Sequence, residues 1–200
     1  MVVLRVPVTL AVVALLLMVA VRAEPLQTRR QADAFQTKLV QIVARGDRCP
    51  CQRRQSTTVT EGEVNGYLRH HATDQLPEGV VVPHVTIIGG GQVSGRATVD
   101  LDRVRTSRER GWLDPAGYLT GRLPVTATGI LHTRAGVGRF ELQAATIGGV
   151  AVPKVVLQEL LSYYSRSDDD PDGLNLDETF NLPSKIQEIQ VGRAVAYVIQ

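Results

Sequence analysis

Aromatic residues are scarce in this chain: three Phe, five Tyr and one Trp make up 4% of it. The hydrophobic share is nevertheless 44%, so any interior must be built from Val, Leu, Ile and Ala. An aliphatic interior of that kind suits either a sealed core or a cavity for acyl chains. Cysteine is scarcer still, with only Cys49 and Cys51 flanking Pro50. That excludes the disulfide framework by which many small exported domains are held. No Cys-x-x-Cys or Cys/His spacing completes a zinc set either. The pair is left as a tight local bridge or as two loop thiols.

A charge excess is also missing, since 22 Lys+Arg stand against 20 Asp+Glu. Without Arg5 and Arg22 of the amino-terminal segment, bases and acids are equal in number. Nucleic-acid binding normally needs a basic stripe, so no nucleic-acid partner is expected. Firm electrostatic attachment to an acidic membrane is disfavoured for the same reason, and membrane contact, if made, is transient.

Catalytic signatures are absent as well. No Gly-x-Ser-x-Gly elbow and no His-Glu-x-x-His occurs. Gly89-Gly90-Gly91-Gln92-Val93-Ser94-Gly95 has the glycines of a phosphate loop, but a strand pattern follows it where a helix N-terminus would have to supply the N–H donors. It reads as a hairpin turn. His70 and His71 are adjacent, so on a helix they diverge by about 100° and cannot share a ligand. His84 and His132 are remote in sequence. The expectation is a protein that is not an enzyme and has no cofactor and no metal. One ionic pattern remains open, Asp168-Asp169-Asp170-Pro171-Asp172-Gly173, whose Asp-x-Asp-x-Asp-Gly spacing is that of a calcium loop. Its twelfth position is Thr179, with Glu178 one place early, so a solvated acidic connector is the other reading.

What is present begins at the amino terminus. Arg5 precedes an apolar run from Val6 to Val21, and Val21-Arg22-Ala23 offers small residues where a signal peptidase reads them. Residues 1–23 are expected to be a secretory signal, cleaved before Glu24-Pro25, which makes the rest of the chain exported: periplasmic or secreted. The run is shorter than the roughly 20 apolar residues of a membrane span, so an uncleaved anchor is the lesser alternative.

Residues 24–56 read as an amino-terminal helix and a polar connector. Ala34, Phe35, Leu39, Ile42 and Val43 fall at helical spacing over Gln31 to Ala44, and Gln52 to Ser56 is polar. Residues 57–200 read as one α+β domain. Thr60-Glu61-Gly62-Glu63 is a capping box with Val59 and Val64 at the flanking positions, predicting a helix from Glu61 to about Thr73. Val80 to Ile88 and Gln92 to Leu101 form one hairpin. Leu119 to Thr133 and Gly138 to Ile147 form a second. Pro153 opens a helix through Tyr164, and strands Ile186 to Val191 and Ala194 to Ile199 close the chain. The order predicts an antiparallel sheet packed on amphipathic helices.

Thr58-Val59-Thr60-Glu61-Gly62-Glu63-Val64-Asn65-Gly66-Tyr67-Leu68 is similar to the T-E-x-E-[IV]-N-x-x-L helix start of small bacterial envelope lipid-binding proteins. Gly121 to Val125, Gly148 to Pro153, Phe180 to Ile186 and Ile189 to Val195 resemble the same group, the tubular lipid-binding (TULIP-like) type. The resemblance implies a strongly curved antiparallel sheet wrapped around a helix and an apolar groove, without catalysis. From the residues themselves, Val64, Tyr67 and Leu68 on one helix and Leu157, Leu160, Leu161 and Tyr164 on another need an apolar surface to cover. They are the candidate lining of a groove between sheet and helix that holds a lipid or other apolar small molecule. The alternative is an envelope structural or interaction protein in which the same residues form a closed core.

Overall fold

The structure, a computed structural model, describes residues 28–47, 54–77, 79–106, 121–166, 172–173 and 175–200. The expected signal segment (residues 1–23), Cys49, Cys51 and Asp168 to Asp170 lie outside the described residues. Helix α1 runs over 28–46. Strand β1 (Ser56–Thr60) leads directly into α2 (Glu61–His70). The expected capping box is formed: the Glu63 amide donates to Thr60 Oγ1 at 3.3 Å and the Thr60 amide to a Glu63 carboxylate oxygen at 2.9 Å. The helix stops at His70, and a 3₁₀ turn at Thr73–Gln75 takes up the rest of the segment.

Strands β2 (Val80–Gly89) and β3 (Gln92–Asp100) form the first hairpin. A short α3 (Leu101–Thr106) starts where that hairpin was expected to end. Strands β4 (Arg122–Arg134) and β5 (Val137–Ile147) form the second hairpin, and β6 (Val150–Ala151) turns back on β5. Then come α4 (Lys154–Ser165), β7 (Thr179–Asn181), β8 (Glu188–Val191) and β9 (Val195–Ile199). Pro153 has the extended angles φ −58°, ψ 143°, so it caps α4 from outside and the helix begins one residue later than the proline rule places it.

The α+β antiparallel architecture read from the sequence is found, with the strands divided between two sheets. A three-stranded small sheet has the order β1-β9-β8, and a six-stranded large sheet runs β2-β3-β4-β5-β6 with β7 also on β5; among the described residues it does not close into a barrel. Strand β1 was the least visible element. Thr57 and Val59 are buried between exposed Ser56, Thr58 and Thr60, the period of a half-buried strand. Its partner, however, is β9 at the far end of the chain, with Val59 opposite Ala196. Register shifts interrupt the large sheet between Val81 and His84, Ile87 and Gly89, and Thr128 and Gly129. Such bulges bend a strand.

The well-buried core lies beside the small sheet. Ile42 of α1 packs with Leu182 and Ile186, and Ile189 and Val198 join the cluster. Helices α1 and α2 approach closely at Gly66, where an added Cβ would lie 2.7 Å from the Thr28 carbonyl oxygen. Phe35 and Tyr67 meet edge to face across this contact at 5.2 Å, a favourable arrangement of two rings. Lys38 completes it by donating to the Glu63 carboxylate and to the Thr58 carbonyl, each at 2.7 Å.

Candidate functional site

Strand pairing sorts the large sheet into two unlike faces, because residues opposite one another in an antiparallel ladder share a face. On one face stand Val93, Ala97 and Val99 of β3, opposite Gly129, Val125 and Leu123 of β4. The same rows continue through Val85 and Ile87 of β2 and through Phe140, Leu142, Ala145 and Ile147 of β5. The other face is mostly polar, with Pro124, Ile130 and Ala144 among its hydroxyls and charges: Ser94 Oγ meets Thr128 Oγ1 at 2.9 Å, and Thr126 Oγ1 meets Thr146 Oγ1 at 2.6 Å. Arg96, Thr98 and Glu141 extend that polar face.

The apolar face is incompletely covered. Ile87 and Ala145 are buried, but Val85, Val93, Ala97, Val99, Leu123, Val125, Ala127, Leu131, Phe140, Leu142 and Ile147 are all only partly buried. Among the described residues, α2 contacts the β2 edge, α4 contacts β5, and the short α3 contacts β4, the strand it precedes. Strands β3 and β4 form the middle of this partly open aliphatic face, the floor of a trough between α2 and α4. Phe140 closes part of it by lying over Gly129, where an added Cβ would be 2.6 Å from the ring. The Phe180 ring lies equally close to the missing Cβ of Gly138, at 2.6 Å, and stays 45% exposed.

Helix α2 does more than flank the sheet. The Asn65 side-chain amide donates to the Val85 carbonyl at 2.8 Å, and the Val85 amide donates back to Asn65 Oδ1 at 2.7 Å. The Ile87 amide donates to Glu61 Oε2 at 2.8 Å, and the Ala194 amide to the Ile87 carbonyl at 2.8 Å. The side chains of α2 thus stand in for a missing strand along the outer edge of β2, the kind of exposed ladder that otherwise recruits another chain. This gives Glu61, Glu63 and Asn65 of the T-E-x-E-[IV]-N pattern structural roles. The role of Asn65 is invisible to local spacing, because its partner, the Val85 backbone, lies twenty residues away on a strand.

Of the candidate groove residues, Tyr67 sits between Phe35 and His71, with ring centroids at 5.2 Å and 5.9 Å, in the contact of α1 with α2. Val64 and Leu68 are partly buried on the same helix. On α4, Leu157 is buried and Leu160 and Leu161 are partly buried, while Tyr164 is placed in the last turn by its backbone. The two groups stand at opposite margins of the large sheet, with β3 and β4 between them. The floor residues of β3 and β4, Val93, Ala97, Val99, Leu123 and Val125, lie outside the set of groove residues expected from the helices alone. Their alternation was legible, but which face lay bare was not.

An open cleft of about 560 Å³ lies where the β4–β5 hairpin end meets β8, sharing Leu131 with the apolar face and lined also by Thr133, Val137, Ile189 and Val191. None of the candidate groove residues lines it. Its waist is polar: Thr133 Oγ1 donates to the Ile189 carbonyl at 3.0 Å and accepts from the Ile189 amide at 2.8 Å.

Two carboxylates are held charged. Burial pushes the Glu63 carboxyl up, but the Lys38 ammonium and the Thr60 amide more than offset this and leave it below its ordinary value. The Arg122 guanidinium, donating at 3.1 Å, pulls Asp100 below the usual carboxylate range, and the Arg103 amide adds to the pull. Both are accounted for by structural partners. Among the described residues no group of three or more His, Cys, Asp or Glu could hold a metal ion, and no helix is long and apolar enough to cross a membrane.

No protein-family model matches the chain, and no curated protein matches it. Among solved structures, a lipopolysaccharide binding protein is similar to it at 16% identity and a TM-score of 0.23, over 72% of this chain and 40% of that one. The chain thus spans less than half of that protein, and a likeness at this score decides neither the fold nor a ligand.

Proposed function

We propose that this protein binds an apolar ligand, a lipid or acyl chain, along the aliphatic face of the large sheet, and that it does no chemistry on it. One observation carries the reading: Val93, Ala97, Val99, Leu123 and Val125 share one face and none of them is fully buried. A sheet face that is apolar in every row gains free energy from any cover, at about 25 cal/mol per Å² removed from water. Ligand sites are commonly of this form, largely apolar and preformed. In this reading α2 and α4 are the banks of the trough, and Leu157, Leu160 and Leu161 border it from the β5 side. Glu63 and Asp100, the carboxylates with displaced proton affinities, serve fold contacts, which agrees with a binding role. The amino-terminal segment fits an exported protein that would meet lipids outside the cytoplasm. The alternative, an envelope interaction protein, is favoured by the same uncovered face if another protein covers it.

Bulk added to the trough separates the two. In the pair Ala97→Phe and Ala127→Phe, rings would fill the space over β3 and β4. Binding of a fluorescent fatty acid should fall at least tenfold while the melting temperature holds or rises. Native mass spectrometry of the parent protein, purified from its own host, should show lipid as added mass. A parent protein that carries no lipid and takes up no fatty acid would sink the proposal.

A further inference from the structure

The open cleft at the β4–β5 hairpin end is walled by one face of the hairpin. Arg134 pairs with Val137, His132 with Arg139, and Arg139 with Thr179 of β7. Residues opposite one another in an antiparallel ladder share a face, and so do residues two apart on a strand. His132, Arg134, Val137, Arg139 and Thr179 therefore stand together, and all five line the cleft. They continue the mostly polar face that carries Glu141, and of the trough residues Leu131 alone borders the cleft. Glu188 and Gln190 of β8, likewise two apart, line it from the small sheet.

The frame of the cleft is fixed by backbone contacts. Thr133 Oγ1 engages both the amide and the carbonyl of Ile189, which pins β8 against β4. At the hairpin tip Ala135 and Gly136 have φ +51° and +82°, the left-handed pair that a two-residue turn of this kind requires. The Gly136 amide donates to the Gln187 carbonyl at 3.0 Å, and the Leu182 amide to the Gly136 carbonyl at 2.7 Å. Arg134, the residue before this turn, thus extends from an anchored backbone. A preformed cleft of about 560 Å³ has the size of a small-molecule site.

Charge decides what such a site would take. Glu188 is engaged by Arg54 at 2.8 Å and by the Gln190 side-chain amide at 3.0 Å. His132 Nε2 meets Glu141 Oε2 at 3.0 Å, whereas Arg139 comes only within 3.7 Å of that oxygen, too far for a hydrogen bond. Among the described residues Arg134 has no carboxylate partner. Arg54, Arg134 and Arg139 stand against Glu141 and Glu188, so one positive charge is left over with His132 neutral.

We propose that this cleft binds a small anionic molecule, whose carboxylate or phosphate group lies between Arg134 and Arg139. A guanidinium offers two parallel N–H groups to either kind of oxyanion. Val137, 40% exposed, gives the remainder of the molecule an apolar contact. The arginines stand on the opposite face of the sheet from the trough, so the site is independent of the lipid reading.

Titration with phenyl phosphate and with benzoate, followed by NMR, tests this. At least one probe should shift the Arg134 and Arg139 guanidinium signals and the Gly138 and Ile189 amides to saturation, and the tighter probe names the oxyanion. Arg134→Gln should weaken binding about tenfold, and Arg134→Lys, which keeps the charge without the fork, about threefold. Arg96→Gln, an exposed arginine farther along the same face, should leave it unchanged. Fatty-acid uptake should be equal in the parent and in Arg134→Gln, so cleft and trough are read separately. Shifts that do not saturate by about 10 mM, or that Arg134→Gln leaves unchanged, mean an adventitious ion only and overturn the proposal. A hexaglutamate peptide that binds more tightly than both probes also overturns it, because it assigns the arginines to a protein partner.

Discussion

The two halves of this molecule use the same aliphatic alphabet to different ends. Around the small sheet, Ile42, Leu182, Ile186, Val59 and Ile199 are each under 10% exposed. Helices α1 and α2 meet there through Gly66, and the Lys38–Glu63 pair closes the seam. On the large sheet, equally apolar rows stay partly open, and α2 and α4 stand at the margins. The difference lies in what covers the aliphatic groups. The small sheet has a helix laid directly on it. The large sheet spends the side chains of α2 on sealing an edge through Asn65 and Glu61, and the face beside that edge is only partly covered.

The comparison breaks most visibly if cavities cost the same in both halves. Ile42→Ala should lower stability by about 3 kcal/mol, since a buried methyl-rich side chain leaves a void. Leu131→Ala, on the partly open face, should cost less than half as much. Equal losses in chemical denaturation would mean that the trough is a sealed core.

Gly66→Ala sharpens the contrast from the other side. Alanine in a helix interior normally gains about 1 kcal/mol over glycine. Here its Cβ would sit 2.7 Å from the Thr28 carbonyl oxygen and 2.9 Å from the Ala32 amide nitrogen, so a net loss of about 1–2 kcal/mol is expected from overpacking. A stabilised variant in thermal melting would show that α1 is not tightly seated on α2.

A smaller effect is expected from pH. Glu63 is held below its ordinary proton affinity, so the unfolded chain takes up its proton first as pH falls. Its contribution is fully present above the unfolded value of about 4.3 and fades as pH drops through the lower folded value. Lys38→Met should remove about 1 kcal/mol at pH 7 and flatten this acid limb. An unchanged acid limb in melts between pH 7 and 3 would assign the seam's stability to packing alone.

The smallest effect should come from a methyl-for-hydroxyl exchange made in both halves. Val125→Thr on the partly open floor should cost under about 0.5 kcal/mol, whereas Val59→Thr, at 4% exposure, should cost about 2 kcal/mol because its hydroxyl is buried without a partner. Similar values at both sites would again close the trough.

Local patterns in the sequence determined much of this architecture. Thr60 and Glu63 wrote the start of α2, because a capping box needs only residues three apart. The glycine turns and β-branched alternation wrote both hairpins, whose strands pair with their neighbours in the chain. The two-faced character of β3 and β4 was also legible, since side chains alternate with period two. What the sequence could not determine were pairings between distant segments and the allocation of cover. Strand β1 exists because β9 lies beside it, and a polar run such as Ser-Thr-Thr-Val-Thr has no reason to extend without that partner. The role of Asn65 depends on the backbone of Val85, and the bareness of the trough depends on where α2 and α4 settle. Burial belongs to a pair of surfaces, and the second surface is supplied only when the chain has folded.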